Sequence, residues 1–422
     1  MKELYIERRQ KLLAEKEGPC LAFVFSGKAP MRSADESYGF SVDRSFYYLT
    51  GIDRENMVLM LMKGMDGSIS ETIFIEPYSE YLAKWVGGRM KADEVTEISG
   101  IRAVAEIGDF SERVVGTLNR LRGMGKIRVW MDLWHYNDRQ ELTQAHQVAA
   151  WLQRCYPAVS VEELYGDLAA MRAVKHPREL ELMRQAQVTT RKAIVAMMRH
   201  ARPGMNETEI EGAFDFALMA QGCREHAFPT ICAGGKRATT LHYSDNNCVV
   251  EDGDLILVDL GSAEQHYCAD ISRTFPANGR FTDRQKEIYN TVLEAQRIVI
   301  ETAKPGMTMR QLNQLVIDYY ESRLDDLGLR KDGKGVSDYY YHGVTHSLGL
   351  DTHDVATLKE YTLKPGMVIT AEPGLYIEDE GIGIRIEDDI LITENGAIDL
   401  SADIPKTVEQ IEQIMSPSCS AT

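Results

Sequence analysis

The first 160 residues alternate between short apolar runs and segments with helical periodicity. Runs rich in β-branched and aromatic residues, bounded by Gly or Pro, predict four strands. These strands are residues 20–27, 45–52, 57–64 and 71–77. The segments 81–101 and 140–157 contain helical stretches, and the charged, amphipathic first nineteen residues predict an N-terminal helix. Strands that alternate with helical crossovers indicate a mixed α/β domain.

The pattern changes between residues 160 and 177. Residues 161–204 carry long apolar repeats of period 3.6, and Pro177 suits the first turn of a helix. We therefore place a domain boundary near residue 165. This predicts an N-terminal α/β domain over 1–165 and a second domain over 166–422, with its helices first and then its strands.

The second domain contains a faint internal repeat. Two pairs of segments match in the same order: 202–210 with 304–312, and 252–262 with 364–374. The second pair reads as a turn, a buried strand and an acid, with Gly253 six residues before Asp259 and Gly366 six residues before Glu372. The common order suggests two halves related by a pseudo-two-fold axis. A site between such halves would receive similar ligands from each.

Length and composition narrow the class of protein. A chain of 422 residues exceeds the size of a single hydrophobic core, and 44% hydrophobic content is ordinary for a globular protein. The net charge of −17 argues against a nucleic-acid partner. There is no apolar run near the roughly 18 residues of a membrane span, and no signal-peptide pattern. Seven scattered cysteines without a C-x-x-C pair indicate a reducing compartment, so we expect a cytoplasmic protein.

Four acids interrupt strand-like apolar contexts. They are Asp259 in "LILVDLG", Asp270 in "CADISRTF", Glu372 in "VITAEPGLYI" and Glu387 in "GIRIEDDILIT". A carboxylate at the end of an apolar strand needs a cation, a hydrogen-bond network or a shifted pKa. For any single acid, a helix cap or turn former is an equally good interpretation.

The argument for metal comes from the set of acids. One carboxylate pair at ~4 Å and an effective dielectric of ~20 costs about 4 kcal/mol. If the four acids converge, they must therefore share protons or bind cations, and two divalent ions balance their charge. His346, in the histidine-rich segment 342–354, is the fifth candidate ligand. Oxygen ligands with one imidazole favour Mn²⁺, with Co²⁺ or Zn²⁺ as alternatives, and a two-metal site is typical of hydrolases.

The ordered motifs of the second domain resemble a known family. "VDLG", "ADISRTF", "HGVTHSLGLDTHD", "AEPGLYI" and "RIEDD" resemble the metallopeptidases of the pita-bread fold, most closely the Xaa-Pro aminopeptidases (aminopeptidase P). "ERRQKLLA", "SFYYLTGID" and "KWVGGRM" resemble the N-terminal domain of that subfamily, and "KTVEQIEQIM" its final helix. The resemblance implies an α+β protein, in which a pita-bread catalytic domain with pseudo-two-fold halves follows a smaller mixed α/β domain. It also implies removal of the first residue from peptides with proline in second position.

The resemblance assigns metal ligands. Asp259 would chelate the first metal, His346 and Glu372 would bind the second, and Asp270 and Glu387 would bridge both. The hydroxide shared by the two ions would attack the carbonyl of the Xaa-Pro bond. Glu372 would also carry a proton from this nucleophile toward the proline nitrogen.

The same resemblance gives three further histidines a place in the cleft. His353 would donate a hydrogen bond to the developing oxyanion, His342 would line the substrate cleft, and His242 would lie next to the leaving group. The alternative for each is a structural histidine or one that orients a ligand.

Other side chains are predicted around the metal site. Arg385 would orient the bridging region, unless it forms a plain salt bridge. Tyr376 and Trp85 match substrate-contacting positions, although aromatic residues are more often core, and the role of Trp85 would require an oligomer. We expect four more acids to lie outside the ligand set: Asp351, Asp354, Asp388 and Asp389.

Several functions remain open at this point. The closest alternative is prolidase, an Xaa-Pro dipeptidase that uses the same five ligands, whereas methionine aminopeptidase is disfavoured by the extra N-terminal domain. A binding protein with a dead site is disfavoured because all five ligands are present, although creatinase and proliferation-associated relatives show that the fold does not imply peptidase chemistry. The expected partners are a proline-containing peptide and further copies of the chain, as a homodimer or homotetramer, with no nucleic acid and no membrane.

Overall fold

The computed structural model describes residues 1–123, 125–135, 137–331, 333–355 and 360–416. The chain forms two compact units, Met1–Met171 and Arg172–Thr422. Across the described ranges no helix has the length and apolar character needed to cross a membrane. The six cysteines in these ranges are free thiols, while Cys419 lies outside the described residues.

The N-terminal unit is built on one six-stranded mixed sheet with the strand order β4-β3-β2-β1-β5-β6. The strands are β1 (Cys20–Phe25), β2 (Val58–Lys63), β3 (Ile69–Ile75), β4 (Val104–Glu106), β5 (Arg128–Met131) and β6 (Ser160–Glu163). The helices are α1 (Lys2–Ala14), α2 (Arg44–Thr50), α3 (Glu80–Val86), α4 (Ala92–Ser99), α5 (Phe110–Leu121) and α6 (Gln144–Cys155). The next helix, α7 (Tyr165–Ala173), contains the division between the units. The ring of Phe110 on α5 packs edge-on against Phe23 and Phe74, which places the core beneath the sheet.

The predicted strand over 45–52 is wrong, because these residues form helix α2. The Asp43 carboxylate accepts a hydrogen bond from the Phe46 backbone N–H at 2.8 Å and caps the start of the helix. Gly51 ends it in the left-handed conformation, with φ of 70°. All six residues from Ser45 to Thr50 are buried, so the apolar run reflects a helix surrounded by protein. The other three predicted strands correspond to β1, β2 and β3.

The C-terminal unit places long helices over short antiparallel strands. Its helices are α8 (Pro177–His200), α9 (Glu207–Ala220), α10 (Asp283–Thr302), α11 (Met309–Arg323) and α12 (Val408–Met415). Its first sheet has the order β11-β8-β7, built from β7 (Ile231–Gly234), β8 (Leu255–Leu260) and β11 (Ile271–Pro276), beside a hairpin of β9 (Ala263–Glu264) and β10 (Tyr267–Cys268). Its second sheet has the order β12-β15-β16, built from β12 (Val368–Ala371), β15 (Asp388–Ile392) and β16 (Ala397–Asp399), beside a pair of β13 (Gly374–Ile377) and β14 (Ile382–Arg385).

The internal repeat is visible in the backbone. Gly204 and Gly306 both have φ of 88°, and each precedes the second helix of a helix pair. Gly253 and Gly366, with φ of 91° and 88°, open β8 and β12. Equivalent hydrogen bonds run from the Val250 N–H to the Met205 carbonyl (2.9 Å) and from the Leu363 N–H to the Met307 carbonyl (2.8 Å). The two halves therefore share a turn, a helix and a central strand in the same order.

Candidate active site

Strand ends bring the predicted metal ligands to one place in the C-terminal unit. Asp259 lies near the end of β8 and pairs in register with Ser272 of β11, while Asp270 directly precedes β11. Glu372 directly follows β12, and Glu387 lies between β14 and β15. The segment that carries His346 runs beside β12, since the Thr370 N–H donates to the His346 carbonyl at 3.0 Å.

Three of the five residues form a compact, buried ligand set. One ligand atom each from Asp270, His346 and Glu387 lies within 4.8 Å of the other two. His346 Nε2 is 3.3 Å from Asp270 Oδ2 and 3.5 Å from Glu372 Oε1, so Glu372 borders the same space. Oxygen and imidazole ligands at this spacing fit a divalent metal ion.

The hydrogen bond of His346 Nδ1 leaves Nε2 as the ring nitrogen that faces the acids and could bind a metal. Its Nδ1 atom is 3.1 Å from the Ser347 carbonyl oxygen. A carbonyl can only accept, so Nδ1 carries the proton and Nε2 keeps its lone pair in the neutral ring. Fixing the tautomer through the other ring nitrogen is how proteins orient histidine ligands.

Arg385 links the remaining acids. Its Nη2 atom is 2.7 Å from Asp259 Oδ2, and its Nε donates to the Ser272 hydroxyl at 2.7 Å. The Ser272 hydroxyl in turn donates to Glu387 Oε2 at 2.8 Å. The other carboxylate oxygen of Asp259 is buried and has no hydrogen-bond partner within the described part of the chain, so it is available to a cation.

Burial and mutual repulsion raise the pKa values of the acids. Burial, with the charge of Asp259, raises the pKa of Asp270 to about 6 although His346 opposes the shift. Burial also raises the pKa of Glu372 to about 7, and it raises the pKa of Glu387 well above its usual range. For His346, burial lowers the pKa, but the hydrogen bond to Asp270 and the charge of Glu372 outweigh it and raise the pKa to about 9. Buried carboxylates in this state favour protons or metal cations.

His342 is held neutral by a chain of hydrogen bonds. Its Nδ1–H donates to the Gly343 carbonyl at 2.8 Å, so its Nε2 accepts the Tyr376 hydroxyl at 2.8 Å. The Tyr376 oxygen accepts from Arg385 Nη1 at 3.1 Å. Burial, followed by the charge of Arg385, lowers the pKa of His342 to about 4. The ring therefore lies beside Glu372 as a neutral group.

His353 and His242 border the same site. The His353 ring keeps an exposed edge and packs edge-on against the His346 ring, with centroids 4.4 Å apart. Partial burial, with the charges of His346 and His242, lowers the pKa of His353 to about 4. His242 lies on an exposed turn after β7. The structure thus brings His342, His346 and His353 together around the predicted ligands, and His242 is near enough to affect the pKa values of His342 and His353.

Trp85 belongs to the N-terminal unit, where it lies on α3, is 72% exposed and contacts Tyr81. Tyr376 is buried, and its hydroxyl contacts Arg385 and His342.

The four further acids have other partners, although Asp389 also contacts the backbone of the predicted ligand Asp270. Asp351 and Asp354 contact Arg172, Asp388 contacts Arg273 and Lys406, and Asp389 accepts from the Asp270 N–H and from Gln187. Sequence reasoning missed Ser272 and Gln187. Neither serine nor glutamine carries a signal of its own, because their contacts arise from residues more than 100 positions away.

Comparisons with known proteins agree with this geometry. The sequence matches "Metallopeptidase family M24" over residues 181–394 and "Aminopeptidase P, N-terminal domain" over residues 5–123. The Xaa-Pro aminopeptidase of Haemophilus influenzae is 33% identical, over 98% of this chain and 97% of its own length. A structure assigned as an aminopeptidase P from Bacillus anthracis superposes with a TM-score of 0.94 at 41% identity, and Escherichia coli aminopeptidase P with the inhibitor Pro-Leu superposes with 0.89 at 31% identity. Each covers 98% of both chains.

These matches confirm the predicted fold class and the predicted class of enzyme. The pita-bread architecture follows an aminopeptidase P type N-terminal domain, and the acid and imidazole cluster lies in the part that matches the peptidase family. The chain belongs to metallopeptidase family M24 and is a metal-dependent hydrolase of peptides.

Proposed function

We propose that this peptidase removes the N-terminal residue from peptides that have proline in second position. The observation that carries the proposal is the buried cluster of Asp270, His346 and Glu387 in a chain that resembles Xaa-Pro aminopeptidases over nearly its whole length. The alternative, prolidase chemistry, is less well supported, because the relatives named above are aminopeptidases.

The proposed ligand set for two divalent ions is Asp259, Asp270, His346, Glu372 and Glu387. The unpartnered oxygen of Asp259 fits this assignment, and so does the Nε2 of His346, which faces Asp270 and Glu372. When bound, such ions lower the pKa of a water molecule and polarise a carbonyl group. Manganese is our proposal for the metal, with cobalt and zinc as alternatives, since the ligands are mostly oxygen.

Exposure suggests which acid moves the proton. The side chains of Glu372 and Asp259 are 15% and 14% exposed, whereas that of Asp270 is 5% exposed and Glu387 as a whole residue is 1% exposed. Asp259 is held by Arg385, so Glu372 is the exposed acid that can meet a substrate. We assign Glu372 the transfer of a proton to the proline nitrogen.

Three histidines would orient the substrate. An N–H of the exposed His353 would donate to the carbonyl oxygen as charge develops there. His242 would lie beside the proline, and His342, fixed by Tyr376, would line the cleft. Arg385 would hold Asp259 and, through Ser272, Glu387 in place.

Cleavage of three peptides under manganese tests the proposal. The expected result is hydrolysis of Xaa-Pro-Xaa, little hydrolysis of the dipeptide Xaa-Pro, and none of a matched Xaa-Ala-Xaa control. Exclusive use of the dipeptide would make the enzyme a prolidase. Failure to cleave either proline peptide, with two ions bound per chain by metal analysis, would refute the proposal.

The predicted homodimer or homotetramer belongs to the same proposal. Helix α3 has no buried residue and exposes Tyr81, Trp85 and Val86, which supports a surface for another copy of the chain. Light scattering measures the oligomeric state directly, and a monomer at assay concentration would remove any role for Trp85 that requires a neighbouring subunit.

The cytoplasmic location is proposed from the cysteine content alone.

A further inference from the structure

The segment that carries His242 is anchored on its inner side by one buried acid. The Glu207 carboxylate is fully buried at the start of α9. It accepts hydrogen bonds from the Gly234 N–H, the Arg237 Nε, the Tyr243 hydroxyl and the Cys248 N–H, all between 2.7 and 2.9 Å. These donors precede and follow His242, so the base of the segment is fixed while His242 itself is exposed.

The outer side of the same segment is held by Tyr341. The Tyr341 hydroxyl donates to the Thr239 carbonyl at 2.6 Å, across 102 residues of sequence. Thr239 lies three residues before His242, and Tyr341 directly precedes His342. This hydrogen bond therefore joins the two chain segments that carry the two histidines.

The ring of Tyr341 packs against Tyr376, a residue of the site. It lies 5.2 Å from the Tyr376 ring at an interplanar angle of 38°, and Tyr376 is bonded to His342 and Arg385. Tyr341, Tyr376 and Thr239 also line one cavity of about 210 Å³, whose other lining residues include Lys334 and Glu378 rather than the proposed metal ligands. Partial burial, with the charge of Glu378, raises the pKa of Tyr341, so its hydroxyl stays a donor near neutral pH.

We propose that Tyr341 is a positioning residue that sets His242 relative to His342 across the substrate cleft. The inference rests on the proposed function, because it needs His242 to contact the substrate. The Tyr341 side chain is 48% exposed. A hydrogen bond at such a position adds little to stability, whereas small displacements of a substrate-contacting group reduce turnover strongly.

A double-mutant cycle tests the coupling. Tyr341→Phe keeps the ring and removes the hydroxyl, and we expect kcat/KM on an Xaa-Pro-Xaa peptide to fall roughly tenfold. In a His242→Ala background the same substitution should change kcat/KM by less than about twofold, because the group it positions is gone. Tyr48→Phe is the matched control, since it removes a hydroxyl bond to the Met171 carbonyl in the N-terminal unit and should leave kcat/KM unchanged. Additive effects of Tyr341→Phe and His242→Ala would overturn the inference.

A second measurement does not depend on turnover. Hydrogen exchange followed by mass spectrometry should show faster exchange in residues 239–245 of Tyr341→Phe, with unchanged metal content and an unchanged melting temperature. If the wild-type enzyme fails to cleave proline peptides while this exchange still increases, the proposed function is wrong and the Tyr341–Thr239 hydrogen bond stands as a structural feature. Unchanged exchange in residues 239–245 would overturn the inference itself.

Discussion

Three of the four carboxylates proposed as metal ligands are compensated by different neighbours. Asp259 meets the guanidinium of Arg385, Glu387 meets the hydroxyl of Ser272, and Asp270 lies 3.3 Å from the imidazole of His346. Only Asp259 has a permanent full positive charge beside it. Asp270 and Glu387 therefore depend most on added cations, as their raised pKa values indicate.

Replacing Asp270 with asparagine tests this dependence. Asp270→Asn keeps the size of the side chain and removes its charge, so the fold should persist while metal affinity is lost. We expect kcat to fall by at least about a hundredfold, the upper end of losses seen when groups around a metal are changed. Steady-state kinetics and metal analysis of the purified variant measure both effects.

The exposed Asp318 on α11 supplies the control for that experiment. Asp318→Asn makes the same chemical change and should keep wild-type kcat and metal content. Activity like that of the wild type in Asp270→Asn would remove Asp270 from the metal site.

Residues with unusual chemistry for their context could be predicted from the sequence, and ordinary polar residues could not. An unpaired carboxylate at the end of an apolar strand costs free energy, and this context identifies four candidate ligands in the sequence: Asp259, Asp270, Glu372 and Glu387. Ser272 has no such signal, since its hydroxyl bonds to Arg385 and Glu387 depend on how β11 meets the chain between β14 and β15. The site roles of the predicted residues stay predictions until variants are measured.

At the scale of elements, a buried ion network holds the loop that carries His353. Arg172 Nη2 lies 2.6 Å from Asp354 Oδ1, and Lys175 Nζ lies 3.2 Å from Asp354 Oδ2. All three side chains are at most 3% exposed. The end of α7 and the segment that follows it are thereby tied to the residue that follows His353.

Asp354→Asn should destabilise the protein in a pH-dependent way. Burial opposes ionisation of Asp354, but Arg172 and Lys175 outweigh it and hold its pKa below the usual value. Such a carboxylate stabilises the fold above its unfolded pKa of about 4, and the contribution is lost as the pH falls through the lower folded value. Removing one partner of a buried ion pair costs about 3 kcal/mol.

Thermal melts of wild type and variant across pH measure this difference. The variant should melt well below the wild type at pH 7, and the gap should narrow below about pH 4. A gap that stays constant down to pH 3 would mean that the charge of Asp354 is not the source of the stability.

Helix α2 shows where element prediction failed. An eight-residue apolar run has no periodicity that separates a strand from a buried helix. The capping residues Asp43 and Gly51 were the usable signals, because they mark the start and end of a helix. The long, periodic helix α8 was predicted well, including Pro177 in its first turn.

At the scale of the whole C-terminal unit, the site depends on the duplication. Asp259 and Glu372 occupy equivalent positions, each six residues after a left-handed glycine in its own half. The sequence repeat predicted this equivalence. The hydrogen bonds that fix the histidines could not be predicted from it, because Tyr341, Tyr376 and Thr239 have no symmetry-related signal in the sequence.

Metal removal should therefore lower the stability of the unit, and by more at high pH. Without cations, the folded protein holds protons on Asp270 and Glu372, whose pKa values are about 6 and 7, against about 4 when unfolded. Because these folded pKa values are raised, the contribution to stability is present below about pH 4 and is lost as the pH rises through 6 and 7. Bound cations replace those protons, so the stability of the metal-loaded form should change little over the same pH range.

Scanning calorimetry after chelation should show a melting temperature roughly 5–10 °C lower at pH 8, a smaller difference at pH 5.5, and recovery when Mn²⁺ is restored. The Asp270→Asn variant provides the control, since a chelator should not shift its melt. If the melting temperature of the wild type changes neither on chelation nor with pH, the acids of the two halves do not share a metal site.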